Sequence, residues 1–280
     1  MTNTDDFVKR TTSTQQLPYK EFAGTMEQSP NDYRQHKLIR LPNNLQVLCT
    51  HDPHTSMAAA SMTVNVGTFI DPPELPGLAH LLEHMLLMGS EKYPNEDDYS
   101  MFINSNGGYY NASTYDTITT YHLYTAHHAM EGALDRLAAA FINPRFTPEC
   151  IDREVNAVDS EYKGLQQDDE MYLQQLKKVQ TSSKHPYSRF FAGNLQTLKE
   201  AAQKLDLNLH EQVAKLYQKH YSADIMNLVV AGNYPMDLLI EWSVAKFSGI
   251  QSMGNTKPHY SELPYPRNVL GKAVSDTRTY

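Results

Sequence analysis

Three ionisable residues interrupt one otherwise apolar stretch of the chain. They are His80, Glu83 and His84, within Gly77-Leu78-Ala79-His80-Leu81-Leu82-Glu83-His84-Met85-Leu86-Leu87-Met88-Gly89. Apolar on nearly every side, the stretch reads as a buried helix. Positions i, i+3 and i+4 share one helical face. Three polar groups side by side on such a helix are costly unless something satisfies them. A zinc ion can do so: two neutral imidazoles one turn apart take two corners of a zinc site. The carboxylate between them can then serve a water that the metal activates. His-x-x-Glu-His inverts the more familiar order of zinc-binding hydrolase helices. Three fixed positions can also coincide by chance. Isolated helical histidines are usually satisfied core or surface residues, and the chain has 12 histidines in all to scatter.

A third ligand is available downstream. Thr147-Pro148 starts a long helix, with Thr147 as N-cap and Pro148 at the first position. Its core stripe is Ile151, Val155, Val158, Tyr162 and Leu165. Glu154 and Glu161 lie two turns apart on one flank. Glu161 is the candidate third zinc ligand, and Glu154 a candidate to orient a ligating histidine. A solvated helix face would place acidic residues there too.

Other elements must bring these helices together. His36 to Leu41 and Leu45 to Thr50 read as strands joined by a Pro42-Asn43-Asn44 turn. Met57 to Val66 alternates, with Ala60, Met62, Val64 and Val66 on one face. Asp71-Pro72-Pro73-Glu74-Leu75-Pro76 is a rigid loop into the histidine helix. A short helix over Glu96 to Ser105 stops at Asn106-Gly107-Gly108. Tyr109 to Thr114 and Thr117 to Thr125 read as strands, with Asp116 in their turn. The first is either an ordinary edge strand or an edge that pairs with an extended peptide. Helices follow over His127 to Phe141, within Gly193 to Gln203, over Leu209 to His220 and over Pro235 to Phe247; Ile225 to Ala231 is a strand. His127 and His128 read as solvated.

Residues 1–30, rich in Thr, Gln, Asn, Asp and Ser, read as a flexible arm. Residues 31–257 form the main domain. Residues 258–280, punctuated by Pro264, Pro266 and Gly271, read as a linker and the start of a truncated second domain. With 40% hydrophobic residues, a sizeable core can be buried. The net charge of −8 without a dense basic cluster argues against nucleic-acid binding. Cys49 and Cys150 lie in no paired motif and suggest no disulfide framework. No apolar run is long enough to cross a bilayer, and the acidic N-terminus lacks a secretory signal. The expectation is a soluble cytoplasmic protein, or a periplasmic one had a signal been removed.

Three segments give a family resemblance. They are His80-Leu81-Leu82-Glu83-His84 running on to Lys92-Tyr93-Pro94, Gly107-Gly108-Tyr109-Tyr110-Asn111-Ala112-Ser113-Thr114, and Arg153-Glu154-Val155-Asn156-Ala157-Val158-Asp159-Ser160-Glu161. Gly132 to Leu137 and His185 to Ser188 fit more weakly. Over roughly residues 30–270 the chain resembles the pitrilysin and insulin-degrading-enzyme family of zinc peptidases, the inverzincins. The resemblance implies an α+β fold, with a mostly antiparallel sheet packed against helices, as the first of four related domains. It implies one Zn2+ held by His80, His84 and Glu161, and Glu83 as the catalytic base. Glu154 is implied as a second acidic residue of the catalytic site. Asn111 and Ala112 are implied on the strand that pairs with substrate backbone. The expected activity is zinc-dependent endopeptidase action on peptides or small unfolded polypeptides. Family members are longer, so a missing C-terminal half is an expected partner. The alternative is a non-catalytic peptide-binding or scaffold subunit of the same fold. A zinc hydrolase of another kind is open from the metal triad alone.

Overall fold

The computed structural model describes residues 6–260 of the 280-residue chain. Eight strands form one sheet: β1 (Phe7–Thr11), β2 (Pro18–Phe22), β3 (Gln35–Arg40), β4 (Gln46–His51), β5 (Met57–Val64), β6 (Tyr109–Thr114), β7 (Thr119–Ala126) and β8 (Met226–Gly232). The helices are α1 (Leu78–Leu86), α2 (Asp98–Ser105), α3 (Met130–Ile142), α4 (Pro148–Leu165), α5 (Asp169–Val179), α6 (Ala201–Lys204), α7 (Leu209–His220) and α8 (Met236–Phe247). The sheet order is β1-β2-β3-β4-β8-β5-β7-β6. Every pair is antiparallel except β4–β8. The α+β expectation holds.

Alternation along β5 has the expected consequence. Ala60, Met62 and Val64 are buried while Ser61 and Thr63 are less so. β7 and β8 alternate in the same way. One face of the sheet is therefore covered by helices and the other is open to water. On the covered face Met62, Tyr121 and Leu228 join Leu134, Leu137 and Phe141 of α3 in one core. Leu81, Leu82, Met85 and Leu86 of α1 are fully buried in it. Each such side chain contributes about 1.5–3 kcal/mol by leaving water. That burial fixes α1 against β6, α4 and α7.

The reading of residues 1–30 as a flexible arm is corrected for residues 7–22. Residues 7–22 form the hairpin β1–β2, which extends the sheet beside β3. Its composition is polar because little of it reaches the core. Tyr19 is buried, and the Phe7 and Phe22 rings meet 5.5 Å apart. The turn is tied down by Glu241 of α8, a buried carboxylate that accepts from Thr14 N–H and Gln15 N–H at 3.1 Å each. Such a tie acts through tertiary contact and leaves no periodic pattern. Helix α5 is a second addition, in a stretch to which the sequence reading assigns no element. Its stop signals are weak, yet Asp168 caps it by accepting from Glu170 N–H and Met171 N–H. The expected linker and second-domain start at 258–280 falls almost wholly outside the described residues. No helix among the described residues is long and apolar enough to cross a membrane.

Candidate active site

Helix α1 begins where Asp71 reaches across the proline loop. Its carboxylate accepts from Gly77 N–H at 2.8 Å and from Ala79 N–H at 2.7 Å. These are orphan donors of the first turn, so Asp71 fixes where the histidine helix starts. Burial pushes the Asp71 carboxyl up to about 7, against the opposing pull of those two N–H groups and of Arg189.

From α1 the side chains of His80 and His84 emerge half-buried into a cleft. Each imidazole is oriented through Nδ1. His80 Nδ1–H donates to the Ala192 carbonyl at 2.6 Å, and His84 Nδ1–H donates to Glu154 Oε2 at 3.2 Å. Both acceptors lack a proton of their own, which sets the tautomer and turns both Nε2 atoms into the cleft. His80 Nε2 lies 3.3 Å from His84 Nε2, and Glu161 Oε2 of α4 lies 3.5 Å from each. These three atoms form a nearly equilateral triangle. A tetrahedral ion with bonds of about 2.0–2.1 Å holds its ligand atoms about 3.4 Å apart. The donor set of two nitrogens and one oxygen is also of zinc type. His80, His84 and Glu161 therefore fit the ion that the resemblance implies, their ligand atoms all lying within 4.8 Å of one another.

Electrostatics agree with that fit. Burial pulls the metal-free His84 imidazolium down, but hydrogen bonds to Glu154 and Glu161 outweigh it and raise the group to about 9. The same bond to His84 holds Glu161 below the ordinary carboxylate range. Both shifts arise because these groups crowd acidic charge around one imidazole, the arrangement that also favours a bound cation.

The approach of Ala192 to His80 depends on two glycines. Gly77 (φ +93°) and Gly193 (φ +78°) cross backbone against backbone, and a Cβ on Gly77 would collide with Gly193. Gly77→Ala combines that clash with a strained φ. We expect it to destabilise the fold by more than about 1 kcal/mol and to weaken zinc binding as the Ala192 carbonyl moves off His80. Unfolding midpoints and zinc titrations check this; unchanged values for both would contradict the coupling.

Glu83 faces the same cleft but is only 8% exposed. It lies beside the triangle, and its Oε2 accepts from Thr114 Oγ1. The cleft measures about 680 Å³. One wall carries His80, Glu83, His84, Glu154 and Glu161, and the other carries Asn111 to Thr114 of β6. Strand β6 ends the sheet, so its outer edge has no strand partner among the described residues. Asn111 and Ala112 sit on that edge and line the cleft. All seven residues singled out from the sequence are thus brought to one cavity. His127 and His128 are exposed elsewhere, bonded to the Asn233 carbonyl and to Asn106 Oδ1. Sequence reasoning missed Asp71, Ala192 and Thr114. Ala192 acts through its backbone, which no side-chain pattern reports. Asp71 caps from six residues before Gly77, outside the usual capping spacing.

Residues 46–192 match the model of insulinase (peptidase family M16), and residues 208–278 match that of the peptidase M16 inactive domain. The second match includes β8, which lies between β4 and β5 in the middle of the sheet. The seam between the two models is therefore not a seam in the fold. The chain is 41% identical over 244 residues to the putative zinc protease mug138 of Schizosaccharomyces pombe, covering 87% of this chain and 25% of that protein. It is 36% identical over 265 residues to the insulin-degrading enzyme of Homo sapiens, covering 94% of this chain and 26% of that one. The crystal structure of pitrilysin superposes with a TM-score of 0.85 at 32% identity, over 92% of this chain and 26% of that one. The chain spans about a quarter of the length of the curated relatives it matches. With the M16 model matched across the histidine helix, the edge strand and both glutamates of α4, the chain belongs to the insulinase family of peptidases, family M16.

Proposed function

We propose that this chain carries the metal centre and the base of a zinc-dependent endopeptidase acting on peptides or small unfolded polypeptides. The observation that carries the reading is the donor triangle of His80, His84 and Glu161, with Glu83 in the same cleft, which is bounded by a strand edge that has no strand partner among the described residues. His80, His84 and Glu161 would hold one Zn2+, with His80 aimed by the Ala192 carbonyl and His84 by Glu154. Bound there, zinc supplies Lewis acidity, polarising the scissile carbonyl and lowering the pKa of a water towards neutrality.

Every other role falls to the chain. Backbone groups of Asn111 and Ala112 pair with an extended substrate, as an added strand does. Glu83 takes the proton of the attacking water and returns it to the leaving amine nitrogen. Burial of Glu83 at the cleft keeps that carboxylate largely from bulk water. Since the chain spans only part of its relatives, the activity is assigned to the full-length protein that carries it.

Chelation tests this reading. We expect the zinc-loaded full-length protein to cleave an unstructured peptide, to lose that activity with a chelator and to regain it with added zinc. Cleavage insensitive to chelation would overturn the zinc assignment. Peptide binding without cleavage or stoichiometric metal would return the chain to the scaffold alternative.

A further inference from the structure

We propose that Thr114 is a positioning residue that holds the Glu83 carboxylate in place for proton transfer. This rests on the role given to Glu83 above. Thr114 Oγ1 donates to Glu83 Oε2 at 2.5 Å. Among the described residues it is the only side chain that hydrogen-bonds Glu83. A glutamate has three side-chain torsions, and α1 fixes only its backbone. One oxygen held by a hydroxyl leaves the other free for a water and narrows the carboxylate to one placement.

The hydroxyl is itself rigidly mounted. Thr114 ends β6 and pairs with Thr119 of β7. The turn beyond it is pinned from two sides. Thr68 N–H and Phe69 N–H donate to the Tyr115 and Asp116 carbonyls at 2.9 Å each. Lys178 Nζ, almost wholly buried, bonds Asp116 Oδ1 at 3.1 Å. A Cβ on Gly67 would collide with the Tyr115 carbonyl, so the two backbones meet there without room for a side chain.

Thr114 lies two residues from Ala112 on the same strand. The strand offered to the substrate backbone is therefore also the strand that holds the base. Substrate and base share one ruler, so the distance between scissile bond and carboxylate is set by β6. Small displacements of a reacting group are costly in rate.

The test uses the zinc-loaded full-length protein, with an internally quenched decapeptide as probe, and compares Thr114→Val with Thr114→Ser. Valine keeps the shape and removes the hydroxyl; serine keeps the hydroxyl. Crystals of Thr114→Val should show the Glu83 carboxylate displaced or split between rotamers. Its kcat should fall about tenfold or more, as expected for losing a hydrogen bond to a charged group, with KM within about twofold. Zinc per chain should not change, and Thr114→Ser should restore both Glu83 and kcat. Glu83 unmoved with kcat unchanged would overturn the proposal. A rise in KM alone would also overturn it, making Thr114 a docking residue. Should the wild type cleave nothing, the proposed function fails, and the place of Glu83 in the Thr114→Val crystals still decides this inference.

Discussion

Glu83→Gln is expected to cut peptide cleavage by the proposed enzyme at least about 100-fold while leaving zinc bound. Glutamine has nearly the size of glutamate, and its carbonyl oxygen can still accept from the Thr114 hydroxyl. What it cannot do is take a proton. Removing a positioned general base costs about 10²–10⁴ in rate. We therefore expect kcat to fall by at least about 100-fold, with zinc per chain unchanged, because Glu83 lies outside the triangle of ligand atoms. Steady-state kinetics beside elemental analysis check this. Turnover like the wild type would remove Glu83 from the reaction. Loss of zinc together with activity would make it a ligand instead.

Removing one corner of the triangle is expected to cost most of the zinc affinity. In His84→Ala the remaining donors are one imidazole and one carboxylate; in Glu161→Gln the carboxylate charge is gone. Losing an outer partner of a metal ligand costs about 10–100-fold in affinity, and a ligand itself costs more. We expect a fall beyond about 100-fold in each variant, read by competition with a chelating dye. The pH dependence follows from His84. Its metal-free pKa is raised to about 9, so at pH 7 the imidazole carries a proton that must leave when metal binds. Zinc loading at pH 7 should release about one proton, and apparent affinity should fall about tenfold per pH unit on acidification. For the metal-free fold the sign is opposite. The raised pKa stabilises fully below about 6.5, and that contribution is lost as pH rises through about 9. Titration in two buffers of different ionisation enthalpy measures the released proton. Zinc binding that releases none, with unchanged affinity in either variant, would contradict the site.

The legibility of this site in the sequence follows from where its information resides. His80, Glu83 and His84 lie within one turn of one helix, so spacing alone places them on one face. Glu154 and Glu161 are likewise fixed to each other by α4. That α1 and α4 meet is a tertiary fact: residue type and spacing on α4 offered Glu161 and Glu154 only as candidates, and the family resemblance implied their roles. The period-2 alternation of β5 named its buried face correctly, because one side of the sheet is covered and the other is wet. The hairpin β1–β2 was illegible because its stability comes from Glu241, over 200 residues away, and from one buried tyrosine. The Ala192 carbonyl and the crossing of Gly77 with Gly193 were illegible for a related reason. They are backbone contacts between distant segments, and glycine alone does not say what it makes room for.

The central claim is that His80, His84 and Glu161 hold one zinc ion with Glu83 left free. Anomalous scattering at the zinc edge, from crystals of the zinc-loaded protein, tests it most directly. The predicted result is one peak per chain, about 2.0–2.2 Å from His80 Nε2, His84 Nε2 and a Glu161 carboxylate oxygen, with Glu83 and Glu154 outside bonding distance. No peak after zinc has been offered to folded protein would contradict the account, and so would a peak whose ligands include Glu83 or exclude Glu161.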